Sequence, residues 1–323
     1  MSNNLPLKHS FPDWMFDRFA NIMPEQEIEN FLAALNMNAP TSIRITDTAF
    51  TQKVKKDFED RSVLLSKNSV SPDAFIVEKR INFNDMPSYK EGCFEVQDAG
   101  SQLVTLFVES AGDLNRDVKI LDACAGAGGK SLYLSKLIGD KGLVYAYDFD
   151  PKRLTAFKKR IFDENRKVRG TKNMKVYENI IFINNEDELQ ELRNKIDILV
   201  LDVPCTGTGT IRRNPDLKWR LKEEDIFIYT KKQLSILETY SDCLKENGKF
   251  VYITCSVFKD ENENLINCFL NKHPEFKFQD KTDFGNKYGI KLKNDFLRLF
   301  PHKYNTDGFT ACVCIKTACK PNV

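Results

Sequence analysis

The segment Asp197-Ile-Leu-Val-Leu-Asp-Val-Pro-Cys-Thr-Gly-Thr-Gly209 begins as a branched apolar run and ends in polar residues and glycines. Residues 198–201 are typical of a strand that is buried on both faces of a parallel sheet. The run stops at Asp202, and Pro204 and Cys205 follow. An acid and a thiol are poor core material, whereas ligands of open α/β folds bind at this edge of the sheet. The plainer interpretation is a strand that ends in a turn, since Pro and Gly are common in turns.

Strands and helices are predicted to alternate from residue 118 onward, which favours an α/β fold with a parallel sheet and right-handed crossovers. The predicted strands are 118–121, 143–147, 180–183, 198–201 and 249–253, with closing strands at 297–300 and 310–315. The predicted helices are 130–138, 152–162, 223–244 and 261–271. Asn247-Gly248 is expected to cap the helix at 223–244.

The N-terminal third is predicted to be a smaller α+β region. Apolar residues at helical spacing cover 11–35, and Trp14 is expected in the core. Strands are predicted at 42–45, 62–65, 74–77 and 93–96, with helices at 50–58 and 97–110. A polar turn near Gly112 separates the two patterns, so the predicted domains are 1–112 and 113–323.

Composition narrows the class of protein. A length of 323 residues suggests about two domains, at roughly 150 residues each. The net charge of +2 restricts nucleic-acid binding to local patches. No apolar run is long enough to cross a bilayer, and the first ten residues lack the pattern of a secretory signal, so we expect a cytoplasmic protein without membrane contact. Its nine cysteines are then expected to be thiols, with Cys312 and Cys314 on one face of a core strand.

Residues capable of chemistry gather where the predicted strands end. Asp122-Ala-Cys-Ala-Gly-Ala-Gly-Gly-Lys-Ser131 follows the first strand, and its glycines let the backbone approach a ligand closely. Asp148 follows the second strand, where an acid binds ribose hydroxyls in nucleoside-binding sheets. Its alternative role is a helix N-cap, which Asp150 before Pro151 fits better. Thr254-Cys-Ser256 follows the fifth strand and supplies a second thiol beside that of Cys205.

These motifs resemble those of the RsmB/NOP-type (Sun/Fmu, NSUN) RNA cytosine-5 methyltransferases, and most closely their bacterial ribosomal branch. The resemblance covers roughly residues 10–318. The motifs that carry it are Gln97-Asp-Ala-Gly-Ser-Gln102, Asp122-Ala-Cys-Ala-Gly-Ala-Gly-Gly-Lys130, Asp202-Val-Pro-Cys-Thr-Gly-Thr-Gly209, Arg212-Arg-Asn-Pro-Asp-Leu-Lys-Trp219, Tyr252-Ile-Thr-Cys-Ser256, Glu261-Asn-Glu263 and Asp307-Gly-Phe309. It implies a Rossmann-like class I methyltransferase domain that uses S-adenosylmethionine, preceded by a smaller RNA-recognition-like α+β domain.

The resemblance also implies a division of catalytic work. Cys255 corresponds to the nucleophile that adds to carbon 6 of cytosine, and Cys205 to the second cysteine that assists release of the covalent adduct. Asp202 would meet N3 and the exocyclic amine of the base. Lys130 would lower the pKa of a cysteine or orient a carboxylate.

The resemblance implies a cofactor site without a metal. The expected cofactor-binding residues are Cys124, Ala125, Gly126, Ala127, Gly128, Gly129, Lys130, Asp148, Arg153, Asn185 and Asp202. The family often has Ala-Pro where this chain has Gly126-Ala127, which is a mild change. After the third strand the register leaves two candidates for the adenine contact, Asn185 and Glu186.

RNA binding is expected in the loop after the fourth strand. Arg212, Arg213, Lys218 and Arg220 would contact phosphates around a stacking Trp219. A second basic cluster, which could equally be a solvated helix face, contains Lys152, Arg153, Lys158, Lys159 and Arg160, with Arg166, Lys167 and Arg169 beyond. Ribosomal RNA is the favoured substrate and transfer RNA the alternative, and the protein is expected to act as a monomer. The rival functions are an RNA-binding assembly protein without turnover, a DNA cytosine-5 methyltransferase and a small-molecule methyltransferase.

Overall fold

The computed structural model describes residues 4–114, 117–168 and 177–318. The chain forms two compact units, one from Pro40 to Glu191 and one that joins the residues up to Ala39 with those from Leu192 onward. The two units do not meet at the predicted domain boundary near Gly112. That boundary remains a prediction. Both units combine helices and strands, as the α/β class requires.

The elements are numbered here along the whole chain. The helices are α1 (Leu5–His9), α2 (Asp13–Ala20), α3 (Glu25–Asn36), α4 (Thr51–Glu59), α5 (Pro87–Lys90), α6 (Ala99–Glu109), α7 (Gly129–Ile138), α8 (Pro151–Val168), α9 (Glu186–Gln190), α10 (Leu217–Arg220), α11 (Glu223–Ser241), α12 (Leu265–Lys272), α13 (Thr282–Tyr288) and α14 (Pro301–Tyr304). The strands are β1 (Thr41–Ile45), β2 (Leu65–Lys67), β3 (Ala74–Val77), β4 (Phe94–Val96), β5 (Lys119–Asp122), β6 (Leu143–Ala146), β7 (Ile180–Phe182), β8 (Ile196–Asp202), β9 (Leu244–Thr254), β10 (Phe276–Phe278), β11 (Leu297–Leu299) and β12 (Phe309–Lys316).

The unit from Pro40 to Glu191 contains two kinds of strand pairing. Its first four strands form an antiparallel sheet in the order β2-β3-β1-β4, in which Ile43 pairs with Phe75 on one side and Val96 on the other. The parallel strands β5, β6 and β7 then pair in sequence, with Val144 between Ile120 and Ile180. The alternation of strand and helix along residues 119–190 produces this parallel order, as predicted.

In the other unit, the sheet order is β10-β12-β9-β8, and β11 pairs with β12. Strands β8 and β9 are parallel, with Val200 opposite Val251. Strand β12 runs antiparallel to β9, with Val313 opposite Val251. Cys312 and Cys314 are buried on β12 as free thiols, so their predicted place in the core is confirmed.

Aromatic packing explains why the first helices belong with the C-terminal part of the chain. The Phe19 ring of α2 lies 5.1 Å from that of Phe31 and 5.4 Å from that of Phe258. Phe31 also meets Phe300 at 5.8 Å. Trp14 is partly buried against the same cluster, with its ring 6.1 Å from Phe258, so its predicted place in the core of the smaller N-terminal domain is wrong. Such pairs combine a large apolar area with favourable edge geometry.

The predicted end of the long helix is wrong. Helix α11 ends at Ser241 rather than near residue 244, and Asn247-Gly248 lies inside β9 instead of capping a helix. The register explains the difference, because Ile196 pairs with Leu244 whereas Ile198 pairs with Lys249. The extra residues form a local irregularity in which Asn247 adopts a φ of 62°. Of the helices in the described part of the chain, none has the length and apolar character needed to cross a bilayer.

Candidate active site

Two sulfur atoms meet where β8 and β9 end. The register places Asp202 opposite Ile253, so the carboxyl ends of these parallel strands lie side by side. Cys205 follows the end of β8 by three residues, and Cys255 follows β9 directly. Their Sγ atoms are 3.3 Å apart and both residues are partly exposed. The structure therefore brings together the two cysteines that the sequence placed at neighbouring strand ends.

The environment of the two sulfurs differs from that of a surface thiol. The pKa of Cys205 is raised well above its usual value, first because its thiol shares a hydrogen bond with the Cys255 sulfur and second because the surrounding protein shields the sulfur from water, although the residue as a whole is partly exposed. A negative charge on one sulfur disfavours a second charge beside it. Cys205 is therefore held as a thiol in the resting pair.

A buried carboxyl group organises the loop that carries Cys205. Glu261 is 0% exposed, and its Oε1 atom accepts hydrogen bonds from the Thr206 backbone N–H at 2.8 Å and from Gln233 Nε2 at 2.9 Å. Its Oε2 atom accepts the Thr206 hydroxyl. Gln233 also donates to the carbonyl oxygen of Pro204 at 3.0 Å. Burial raises the pKa of Glu261, while the hydrogen bonds from Ser256 and Thr206 oppose that shift.

A second polar group fixes the loop after β9. The Asn262 side chain donates to the carbonyl oxygens of Ser256 at 3.2 Å and Phe258 at 2.7 Å, and accepts the Thr254 hydroxyl at 2.8 Å. The Ser256 hydroxyl lies 3.1 Å from that of Thr208, which ties this loop to the one after β8. Glu261 and Asn262 both lie in a π-helical turn at Asp260–Asn264, a feature that is frequent at functional sites.

Close backbone contact joins the Cys255 loop to a third segment. The Gly209 N–H donates to the Cys255 carbonyl oxygen, and the Gly308 N–H donates to that of Gly209, both at 2.8 Å. A Cβ atom on Gly209 would lie 2.2 Å from Gly308 O, so glycine is required there. The neighbouring Asp307 is buried and accepts hydrogen bonds from Arg212 Nε at 3.4 Å and Arg213 Nε at 2.5 Å.

The glycine-rich turn after β5 lies in the unit from Pro40 to Glu191. Gly126 and Gly128 adopt φ angles of 54° and 82°, which non-glycine residues rarely reach. Asp148 is 5% exposed, and its Oδ2 atom accepts the Gly126 N–H at 2.8 Å while Oδ1 accepts the Asp150 N–H at 2.9 Å. A carboxylate at the end of β6 thus holds the turn after β5.

The turn and its carboxylate suit a nucleoside cofactor. Each Asp148 oxygen has lone pairs beyond the backbone bond it accepts, and ribose hydroxyls are donors of the matching kind. Among the described residues, and leaving its chain neighbours aside, a Cβ atom on Gly126 would meet only Cys124 O within 4 Å, at 3.9 Å, so the backbone of the turn remains open to a ligand. The Ser131 hydroxyl donates to Asp122 Oδ2 at 2.6 Å and fixes the start of α7 below the turn.

The other predicted cofactor residues have diverse surroundings. Lys130 is buried in the first turn of α7. Arg153 is exposed, with Nε 3.8 Å from Asp150 Oδ2. Asn185 is the N-cap of α9, where its side chain accepts the Glu188 N–H at 2.9 Å. Glu186 is exposed in the first turn of the same helix.

The predicted RNA-binding residues fall into two groups. Arg212 is buried against Asp307, and Lys218 is buried with Nζ 2.7 Å from Asn36 Oδ1 and 4.5 Å from the centre of the Phe11 ring. Trp219 is 65% exposed on α10. Arg213 is partly exposed beside Asp307, and Arg220 is exposed with an ion pair to Asp216. The buried Arg212 and Lys218 support the loop after β8 from inside the protein. Trp219, Arg213 and Arg220 can contact a ligand.

In the second basic cluster, Lys158 and Arg160 donate hydrogen bonds within the protein, in addition to the ion pair between Arg153 and Asp150. Lys158 donates to Asn184, and Arg160 donates to the carbonyl oxygen of Ala127 at 3.0 Å and to Glu95. Arg160 therefore supports the glycine-rich turn rather than a free basic surface. The side chains of Arg166 and Lys167, and the whole of Arg169, lie outside the described residues.

Two residues that bond to the loops of Cys205 and Cys255, Gln233 and Arg298, were not predicted from the sequence. Gln233 lies in a predicted helix, and Arg298 lies in a predicted strand. Arg298 is buried, and it donates to Glu263 Oε1 at 3.1 Å and to the carbonyl oxygen of Val257 at 3.0 Å. A polar side chain within a predicted core element was the available signal for both. Among the described residues, no group of three or more His, Cys, Asp or Glu side chains is arranged to hold a metal ion.

Comparison with known proteins identifies related sequences over most of the chain. Residues 111–313 match the family model described as 16S rRNA methyltransferase RsmB/F. Ribosomal RNA small subunit methyltransferase B of Salmonella arizonae is 32% identical over 265 residues, which are 82% of this chain and 58% of that protein. A probable ribosomal RNA small subunit methyltransferase B of Synechocystis is 28% identical over 307 residues, which are 94% of this chain and 66% of that protein. The chain thus spans less than two thirds of the length of these relatives.

Solved structures show the same fold. The crystal structure of PH0851 covers 98% of this chain with a TM-score of 0.80 and 29% identity, and the match spans 69% of that protein. The crystal structure of NSun6 from Pyrococcus horikoshii with SFG covers 96% of this chain and 100% of that one, with a TM-score of 0.75. At 16% identity this second likeness concerns the fold alone. The predicted Rossmann-like methyltransferase fold is confirmed.

Proposed function

The chain belongs to the RsmB/F methyltransferase family, whose members are RNA methyltransferases that use S-adenosylmethionine, and from this premise we propose that it methylates carbon 5 of a cytosine in RNA. The observation that carries the proposal is the 3.3 Å separation of the Cys205 and Cys255 sulfurs at the ends of β8 and β9. One thiol at a strand end has many explanations. Two thiols in contact, of which one is held protonated, suit a reaction that needs a nucleophile and then a base.

Cys255 serves in this proposal as the nucleophile. Carbon 5 of cytosine reacts poorly with electrophiles until a thiolate adds to carbon 6 and converts the ring to an enamine. Cys255 loses its thiol proton to solvent and its sulfur forms the bond to carbon 6, while the C5–C6 electron pair moves to the C4–C5 bond and the C4–N3 pair moves onto N3. The Asp202 carboxyl group would hydrogen-bond N3 and the exocyclic amine and so stabilise the ring as the charge develops. When bound, S-adenosylmethionine supplies an electrophilic methyl group to carbon 5.

Cys205 serves as the base for release. After addition, Cys255 is a neutral thioether, so the main cause that raises the pKa of Cys205 has been removed. Cys205 can then lose its proton to solvent and take the proton from carbon 5. The electron pair of that C–H bond re-forms the C5–C6 double bond, and the sulfur–carbon 6 bond breaks with its electrons returning to Cys255 as a thiolate.

The glycine-rich turn would bind the cofactor. Residues 124–130 would line its methionine and nucleoside portions with backbone groups, and Asp148 would accept hydrogen bonds from the ribose hydroxyls. Arg153 and either Asn185 or Glu186 would complete the nucleoside contacts. Asp148 supports this role because it already fixes the turn through Gly126 and keeps acceptor capacity.

The RNA substrate must present an unpaired or flipped cytosine, because a stacked and paired base is out of reach of a thiol. Trp219 supports RNA binding as an exposed ring on which a neighbouring base can stack, with Arg220 next to it in the chain and Arg213 six residues earlier. We favour ribosomal RNA, since both relatives quoted above carry the name of a ribosomal RNA small subunit methyltransferase. Transfer RNA is the alternative.

A pair of cysteine variants tests the proposal. With RNA and tritiated S-adenosylmethionine, Cys205→Ala should accumulate a covalent protein–RNA adduct that survives denaturing electrophoresis. Cys255→Ala should be inactive and form no adduct. Cys268, an exposed cysteine of α12, provides a matched control, and Cys268→Ala should behave as wild type. The reverse pattern would exchange the two roles, and a wild-type protein without methyl transfer to any RNA would favour an assembly protein.

A further inference from the structure

Glu261 is a carboxyl group with an unusual position in this site. It is 0% exposed, and the bonds found for it among the described residues come from neutral donors: the N–H and hydroxyl of Thr206, the hydroxyl of Ser256 and the amide of Gln233. Burying a carboxyl group beside neutral donors costs stability that an apolar side chain would not cost. Because burial of Glu261 costs stability, we expect its carboxyl group to have a role that an apolar side chain could not fill.

The contacts of Glu261 point to the loop of Cys205. Thr206, which donates hydrogen bonds to both Glu261 carboxyl oxygens, is the residue directly after Cys205. Gln233 bridges Glu261 to the carbonyl oxygen of Pro204, the residue directly before Cys205. The carboxyl group thus holds the backbone on both sides of Cys205. Its own backbone is fixed because the buried Tyr252 hydroxyl donates to the Glu261 carbonyl oxygen at 2.8 Å.

The same carboxyl group connects the two loops that carry the sulfurs. The Thr206 hydroxyl that it accepts also lies 3.1 Å from the Ser256 hydroxyl, and Ser256 follows Cys255. Thr206 bonds to both Glu261 oxygens, and Gln233 links Glu261 to Pro204, whereas in the described part of the chain the Cys255 loop meets the Glu261 carboxyl group through the Ser256 hydroxyl alone. A change in the Glu261 side chain should therefore displace the Cys205 loop more than the Cys255 loop. The position of Cys205 relative to Cys255 depends on this contact.

We propose that Glu261 is a positioning residue for release of the product, because its carboxyl oxygens hold Thr206 and thereby set Cys205 against the adduct that forms on Cys255. This inference rests on the proposed function. It predicts that loss of Glu261 affects formation and release of the adduct differently. Formation of the adduct, which depends on Cys255, should survive loss of Glu261, whereas release, which depends on Cys205, should not.

The experiment measures both steps in single-turnover reactions of the full chain with RNA and tritiated S-adenosylmethionine. Glu261→Ala should slow adduct release by about ten- to a hundredfold, as expected for misplacement of a catalytic group, while adduct formation changes about threefold or less. Glu261→Gln retains a carbonyl oxygen for the Thr206 N–H and should restore release to within about threefold of wild type.

Glu263 provides the matched control. It lies in the same π-helical turn and is partly buried, but it bonds with Arg298 rather than with Thr206. Glu263→Ala should lower stability without accumulation of the adduct. If Glu261→Ala and Glu263→Ala lose adduct formation and release in the same proportion, Glu261 has only a structural role and the inference is overturned.

A second variant covers the case in which Glu261→Ala does not fold. Thr206→Val is close to isosteric and removes the hydroxyl that Glu261 accepts, so adduct release should slow about three- to tenfold. Release by Thr206→Val at the wild-type rate would overturn the inference. Failure of the proposed function has a different signature: Cys205→Ala itself would then accumulate no adduct, whatever the behaviour of the Glu261 variants.

Discussion

Replacement of Gly209 by alanine should separate the Cys255 loop from the segment that contains Gly308. A Cβ atom at position 209 would lie 2.2 Å from Gly308 O, 2.6 Å from its carbonyl carbon and 2.7 Å from its Cα. These are backbone atoms, so no side-chain rotation can relieve the overlap. Ordinary contact begins at 3.4 Å, which is 1.2 Å beyond the 2.2 Å approach to Gly308 O.

The loss of unfolding free energy in Gly209→Ala can be worked out from the hydrogen bonds that the displaced backbone would lose. Gly209 donates to Cys255 O and accepts from Gly308 N, both at 2.8 Å, and a shift of more than an ångström would lengthen at least one of these bonds beyond hydrogen-bond range. A lost backbone hydrogen bond costs about 1 kcal/mol, and overpacking costs about 1–3 kcal/mol. The variant should therefore lose roughly 2–5 kcal/mol of unfolding free energy. Because Cys255 is one of the bonded partners, displacement of about 1 Å there should lower turnover on the order of a hundredfold.

Chemical denaturation and tritium transfer measure the two effects. Gly289→Ala is the control, because its φ of 66° favours glycine, but in the described part of the chain no atom beyond its chain neighbours lies within 4 Å of the added Cβ. That variant should lose about 1–2 kcal/mol from backbone strain and keep wild-type turnover. Gly209→Ala with stability and turnover like those of Gly289→Ala would refute the reasoning.

Three further predictions concern titration and RNA binding. Because burial raises the pKa of Glu261 above its usual 4.5, the folded state holds a proton that the unfolded state loses, and this contribution to stability is lost as the pH rises through the folded-state pKa. Glu261→Gln should remove this loss, so denaturation curves should show the variant gaining on wild type as the pH rises above 4.5; a constant difference would contradict the shift. Since its pKa is raised, Cys205 should be alkylated by iodoacetamide more slowly than the exposed Cys268, as peptide mass spectrometry can measure, and equal rates would be inconsistent with a protonated Cys205. Trp219→Ala should weaken RNA binding by about 1–3 kcal/mol in fluorescence anisotropy without changing the affinity for S-adenosylmethionine.

Buried strands and the residues at their ends were predictable from sequence because their signal is local. A branched apolar run marked β8, and the first polar residues after it gave the place of Asp202 and Cys205. The same reasoning at β9 gave Cys255. Proximity of the two sulfurs then followed from strand order, since neighbouring parallel strands end at the same edge.

Side-chain direction in the loop after β8 was not predictable, because it depends on partners distant in sequence. Arg212 points inward since Asp307, 95 residues later, is buried beside it. Lys218 is held by Asn36, 182 residues earlier. Their position in the sequence alone predicts both as RNA contacts together with Trp219. The predicted end of α11 was wrong for a related reason. An Asn-Gly pair suits an irregularity within a strand as well as a helix cap.

The density of buried hydroxyl, amide and carboxyl groups behind the sulfur pair has a physical reason in the backbone. Where β8 and β9 end, their loops remain buried, so N–H and C=O groups that leave the sheet cannot turn to water. Thr208 accepts the Val257 N–H at 3.1 Å, Asn262 donates to two carbonyl oxygens, and Glu261 accepts the Thr206 N–H. These side chains replace the solvent that the irregular backbone lacks. A loop satisfied in this way has few alternative conformations, which is what a pair of sulfurs needs if a proton and a carbon atom are to meet them in a fixed geometry.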